Sequence, residues 1–267
     1  MRKIRVFVSG ANGKMGQEVI KTILAQDDLA LVGASDTRGQ GQDVGYMMGS
    51  TRVGIDISGP LDLEIMSSSK ADILVDFTNP QSVLKNAKIA IAAGVVPVIG
   101  TSGLDEAEIS EIQAVVSKEG VGAFIASNFA IGAILMMRFA REAAKYLPHV
   151  EIIELHHDQK LDAPSGTALK TAEWISQVRE TMVQGHPNEY EKVSGARGAD
   201  LGGIHIHSVR LPGLVAHQEI IFGGLGQALT IRHDAYTRET YMPGVTLAIR
   251  KAFKLTSLVI GLENFLD

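Results

Sequence analysis

Residues 4–9 form a short run rich in Val, Ile and Phe that leads into a glycine, and residues 15–24 then place apolar side chains at helical spacing. A strand, a turn and a helix are predicted in that order. Residues 29–34, 73–77, 95–99 and 123–126 read as further strands, apolar but for Asp76, with helices over 83–93 and 104–118 between them. Strands without a polar face that alternate with helices imply a parallel sheet covered on both sides, the doubly wound α/β class.

The pattern changes after Asn128. Residues 131–146 predict one long helix stopped at Leu147 and Pro148, followed by a strand over 151–155 and a helix over 166–179. Residues 185–201 are polar and loop-like. The runs 204–210, 219–222 and 228–232 alternate polar and apolar positions, which predicts a second sheet with one open face. Such a face often packs on a copy of itself, so a homo-oligomer is expected. The tail, 241–258, reads as helix and fits either of the two domains the pattern implies.

Composition narrows the partners. The 267 residues are 45% apolar and 21% charged, enough for one large or two modest cores. A net charge of −5 and a pI near 5.9 offer no basic stripe for nucleic acid or for an anionic membrane. With no cysteine there is no disulfide framework, no thiolate zinc site and no thiolate nucleophile, which excludes dehydrogenases that act through a thiohemiacetal. The apolar run 6–8 is too short for a signal-peptide core. The stretches 89–100 and 129–137 fall short of the roughly 20 residues a membrane-spanning helix needs. A cytoplasmic protein is expected.

Gly10, Gly13 and Gly16 sit between the first strand and its helix, where backbone amides and the positive helix end favour a pyrophosphate. The spacing departs from GxGxxG, so the glycines alone read equally as an ordinary loop opening a helix. Asp36 changes this, because it ends the second strand 20 residues after Gly16, where an acidic residue is expected to hold ribose hydroxyls. Arg38 is placed either to meet a 2′-phosphate or to lie solvated, so both NADH and NADPH stay open. Ligands of such sheets bind beyond the carboxyl ends of the strands. Gly100, Thr101, Ser102 and Gly103, and Ala126, Ser127, Asn128 and Phe129, qualify by that rule; simple turn chemistry is the competing reading.

The densest chemistry runs from Glu154 through His156, His157, Lys160 and Asp162 to Pro164, Ser165, Gly166 and Thr167. In a continued strand the two imidazoles would face opposite ways, so the chain must turn for both to reach one ligand. Histidine is the usual proton donor near neutral pH, and a lysine ammonium can hold a carboxylate or give a proton. Residues 164–167 read as a helix entry with Ser165 as its cap, open to an anion. A cation beside an anion-binding helix start suits a carboxylate substrate. Adjacent histidines seldom converge on one metal, and Lys160 would repel it; His205 and His207, sharing a strand face, are a slightly better metal pair, with sheet packing the stronger reading. No metal site is expected.

At these residues the chain resembles the dihydrodipicolinate reductases, now called 4-hydroxy-tetrahydrodipicolinate reductases, whose signature contains HH, K and DAPSGTA; the match over 156–168 is nearly complete. The glycine turn, the GTSG at 100–103 and the SNF at 127–129 extend the likeness over the whole chain. The family often has threonine at Ser102 and proline at Ser127, and neither change removes a backbone contact.

The resemblance implies NADH- or NADPH-dependent reduction of a small cyclic dicarboxylate in lysine and diaminopimelate synthesis. It implies His156 as proton donor or acceptor and Lys160 as proton donor, with His157, Gly166, Thr167 and Arg238 at the substrate. Gly10, Ala11, Asn12, Gly13, Lys14, Met15, Asp36, Arg38, Gly100, Thr101, Ser102, Ala126, Ser127, Asn128 and Phe129 are implied at the cofactor. The implied fold is a Rossmann-type domain, 1–130, completed by a C-terminal helix over 239–267. A second α+β domain, 131–238, carries a mixed, mainly antiparallel sheet that assembles a homotetramer. Hinges near 128–131 and near Arg238 would close the domains. The alternatives are a reductase of another small imino or keto acid, and a dinucleotide sensor without catalysis.

Overall fold

The computed structural model describes residues 2–180 and 182–266; Met1, Thr181 and Asp267 lie outside the described residues. The chain forms two compact units, Met1–Ala130 with Tyr241–Asp267, and Ile131–Thr240.

The first unit opens with strand β1 (Ile4–Ser9), helix α1 (Lys14–Leu24) and β2 (Leu29–Ser35), then α2 (Val44–Met47), β3 (Ile57–Ser58) and α3 (Leu63–Ser69). It continues through β4 (Ile73–Asp76), α4 (Pro80–Ala92), β5 (Val96–Ile99), α5 (Glu106–Glu119) and β6 (Ala123–Ile125). Val6, Val8, Ile73, Leu74, Val75, Val98 and Ile99 are all fully buried, as strands covered on both faces require. Helix boundaries follow local chemistry. Asn79 caps α4 ahead of Pro80, and an Asp105–Glu108 capping box opens α5, which ends at Gly120 in the left-handed conformation.

The second unit contains α6 (Ile131–Ala143), β7 (His149–His156), α7 (Gly166–Ser176), β8 (Ala199–Asp200), β9 (His205–Arg210), β10 (Ala216–Gly224) and β11 (Gln227–Ala235). Its sheet order is β11-β10-β7-β9-β8, antiparallel except for the β7–β9 pair, so the sheet is mixed and mainly antiparallel. On β7, Val150, Ile152 and Glu154 are buried in strict alternation, which puts a carboxylate where the pattern calls for a third apolar side chain.

The tail corrects the sequence reading. Helix α8 spans Met242–Ala252 only; Leu258–Ile260 then forms β12, parallel to β6, and a 3-10 turn over Leu262–Phe265 follows. This apolar run, too short for a helix, closes the otherwise open edge of β6, and Phe265 stacks on Phe124 with ring centroids 4.4 Å apart. The first sheet is therefore seven parallel strands in the order β12-β6-β5-β4-β1-β2-β3. Its order reverses between β1 and β4, so the crevice of this Rossmann-type fold opens beyond the carboxyl end of β1, at the glycine turn.

Candidate functional site

In the first unit, backbone hydrogen bonds shape the turn after β1. Gly10 and Ala11 donate to the Ser35 carbonyl at 2.9 and 3.1 Å, and Gly13 donates to the Gly10 carbonyl at 3.0 Å. Gly10 has φ +83°, and a Cβ there would lie 2.4 Å from the Phe77 carbonyl oxygen; at Gly16 it would lie 2.1 Å from the Gly10 carbonyl oxygen. Gly10 lets the turn pass against the chain leaving β4, and Gly16 seats α1 against its own turn. Gly13 differs: its φ of −72° suits any residue, and a Cβ would meet only the Gly10 oxygen at 3.1 Å.

Gly13 starts α1 without a side-chain cap, Lys14 and Met15 are its first helical residues, and a phosphate is the kind of group such a helix start accepts. Asp36 stands beside it, accepting from the Asn12 amide and the Arg38 amide, each at 2.9 Å. Gly10, Gly13, Asp36 and Arg38 line one cleft of about 230 Å³, joined there by Thr78, Asn79 and Lys85. The uncapped helix start and the anchored carboxylate fit a dinucleotide, whose phosphates Gly10 to Met15 would hold and whose ribose Asp36 would hold.

Beneath the cleft lies a buried network that the sequence reading did not anticipate. Asp76, at the end of β4, accepts from the Thr78 amide (3.0 Å), the Thr78 and Thr101 hydroxyls (2.7 Å each) and Asn86 (2.8 Å). Asn86 also reaches Ser9, which accepts from Ser35. Thr101 and Gly100 are thereby fixed to β4, since the Gly100 amide donates to the Asp76 carbonyl. Ala126 donates to Ile99, and Phe129 packs on Phe77 and Phe124, while Ser102 and Ser127 are exposed. The Asn128 side chain accepts from the Ala130 amide at 2.8 Å. The carboxyl-end rule applied to β4 as well would have pointed to Asp76.

In the second unit, β7 ends at His156 and the chain turns at once, with the Lys160 amide donating to the His157 carbonyl. His156 Nδ1 lies 2.5 Å from Glu154 Oε2. Glu154 is wholly buried and also receives both terminal nitrogens of Arg210, at 2.7 and 2.8 Å, and the Ser165 amide at 3.2 Å. Burial alone would raise its pKa, but hydrogen bonds from His156, Arg210 and Ser208 outweigh that and hold it down to about 2. Lys160 pairs with Asp162 at 2.7 Å and keeps that carboxyl below its usual range.

Ser165 caps α7 by accepting from the Ala168 amide, Gly166 and Thr167 form the first turn, and a Cβ at Gly166 would meet open space. The Ala163–Pro164 peptide before it is cis. His157 is exposed, and Arg238 lies exposed on a 3-10 turn, Arg238–Tyr241, outside the hydrogen-bonded cluster around Glu154. Arg210 escaped sequence reasoning because a lone arginine on an alternating strand has no partner visible in one dimension. His207 instead bonds Glu151 at 2.8 Å, and among the described residues no group of three or more His, Cys, Asp or Glu is placed to hold a metal.

Comparison with known proteins bears on both halves of the chain. The family description "Dihydrodipicolinate reductase, N-terminus" matches residues 4–129, and "Dihydrodipicolinate reductase, C-terminus" matches 132–266. A 4-hydroxy-tetrahydrodipicolinate reductase of Desulfitobacterium hafniense is 73% identical over the full length of both chains. One of Syntrophomonas wolfei is 52% identical over 99% of each. The dipicolinate-bound dihydrodipicolinate reductase from Paenisporosarcina sp. TG-14 covers 99% of this chain and 100% of its own, with 46% identity and a TM-score of 0.88. With both halves matched and the relatives aligned end to end, the chain belongs to the dihydrodipicolinate reductase family.

Proposed function

We propose that this chain reduces 4-hydroxy-tetrahydrodipicolinate to tetrahydrodipicolinate in lysine and diaminopimelate synthesis, using NADH or NADPH. The observation that carries the reading is full-length identity of 73% to a relative bearing that name, joined to a site with matching chemistry. The reduced dinucleotide supplies hydride to the substrate ring. One hydride and one proton are added and one water leaves, so the protein must hold two carboxylates and deliver a proton.

The residues of the second unit meet those needs. The α7 start at Ser165, Gly166 and Thr167 presents main-chain amides and the positive helix end to one carboxylate, with open space beside Gly166. Lys160 and His157 supply cationic or donor groups, and Arg238 is a further cation for the same substrate. His156 gives the proton from Nε2, since Nδ1 is engaged with Glu154. The dipicolinate named in the Paenisporosarcina structure supports a small cyclic dicarboxylate as the ligand class.

A cytoplasmic site of action is inferred from the biosynthetic role; no helix among the described residues is long and apolar enough to cross a membrane. Leu229, exposed on the edge strand β11, together with Leu225 in the β10–β11 turn and Leu211 just past β9, supports a homotetramer built on that sheet; light scattering tests it, and a monomer would refute it.

The enzymatic reading is tested by NAD(P)H oxidation with substrate generated freshly from the coupled synthase reaction. H156Q should lower kcat far more than it changes KM, and K160A should damage both. No turnover by folded protein would refute the assignment.

A further inference from the structure

Glu154 occupies a core position on the central strand of its sheet, yet it carries a charge. A carboxylate without any solvent exposure is tolerated only when its oxygens are satisfied and its charge is balanced. Arg210 does both with a two-pronged contact at 2.7 and 2.8 Å. The remaining contacts have no need to be where they are for stability alone. Oε2 meets His156 Nδ1, Oε1 meets the amide of Ser165, the residue that caps α7, and Arg210 also donates to the Asp162 carbonyl at 2.8 Å.

We propose that Glu154, balanced by Arg210, is the positioning residue of this site, setting the His156 tautomer and fixing its ring relative to the helix start at Ser165. The proposal rests on the assignment of His156 as proton donor. An ionised carboxylate only accepts hydrogen bonds, so the ring nitrogen facing it must carry hydrogen. The neutral ring then presents its lone pair at Nε2, and the protonated ring presents an N–H there. Proton release and recovery take place at one atom without ring rotation.

Because Arg210 already neutralises the carboxylate, Glu154 can hold the ring in both protonation states without drawing the proton across. The same carboxylate bonds the cap of α7, and its partner arginine bonds the loop between Lys160 and that cap. Proton donor and anion-binding amides are thereby referred to a single buried group. Strand register builds this arrangement: Glu154 faces Ser208, and His156 faces Arg210, across the parallel β7–β9 pair.

The test combines spectroscopy with a mutant cycle. In wild-type enzyme, long-range ¹H–¹⁵N correlation should show neutral His156 protonated at Nδ1; protonation at Nε2 would overturn the proposal, and this measurement requires no variant to fold. E154Q should lower kcat by about 10- to 100-fold with KM for NADH unchanged, and in an H156Q background it should cost little more. An equal loss in both backgrounds would refute action through His156. If H156Q instead turned over like wild type, the proton-donor assignment itself would fall, an outcome distinct from either of the others.

Discussion

The glycine turn separates folding from ligand binding, because its three glycines are needed for different reasons. Gly10→Ala forces a side chain into the left-handed region, at about 1–2 kcal/mol, and drives its Cβ to 2.4 Å from the Phe77 carbonyl oxygen. Relieving that contact means moving β4's turn or the glycine turn, an overpacking cost of about 1–3 kcal/mol. The sum is about 2–5 kcal/mol, or roughly 5–15 °C in Tm for a unit of this size. Gly16→Ala meets the Gly10 carbonyl oxygen at 2.1 Å and should cost a similar amount through overpacking, without the φ penalty.

Gly13→Ala is allowed by its backbone and meets only one atom, at 3.1 Å, so stability should change by less than about 1 kcal/mol. Yet Gly13 lines the cleft at the uncapped start of α1, and a methyl there would intrude on a phosphate bound at that start. Losing one charge-assisted contact of about 1.5–3 kcal/mol weakens dinucleotide binding by roughly 10- to 100-fold. Circular-dichroism melting and NADH fluorescence titration on the three variants measure both quantities. A G10A protein that melts with wild type, or a G13A protein that binds NADH undiminished, would refute the argument.

Other expectations follow from single groups. Asp36→Ala removes the carboxylate held by the Asn12 and Arg38 amides; the Kd for NADH should rise by about 10-fold or more, while that for NADPH should change less, and equal losses would contradict a ribose-hydroxyl role. Glu154 is held at about 2 against an ordinary 4.5. A depressed carboxylate contributes stability that is fully present above pH 4.5 and lost as pH falls from there toward 2, in all about 3 kcal/mol. Urea unfolding across that window should therefore show a shallower acid limb for E154Q than for wild type; parallel limbs would exclude the linkage.

Periodicity and local chemistry were enough to determine the fold class of this protein. Fully apolar strands such as 95–99 betray burial on both faces, and alternation in 204–232 betrays a sheet with one face open, because strand geometry writes burial into a period of two. The motif at 156–168 was legible as a candidate site, since its members are consecutive in the chain.

What tertiary structure alone decided is whatever depends on register between distant strands. Arg210 reaches Glu154 only because β9 lies beside β7 with His156 opposite Arg210. Asp76 holds Thr101 only because β5 lies beside β4, and its partner Asn86 reaches Ser9 only because β1 lies on the other side. The tail shows the same limit: Leu258–Ile260 is a strand because β6 offers it an unpaired edge, and no property of the three residues says where that edge is. A hydrogen bond across a sheet is a relation between segments, and a single segment carries only half of it.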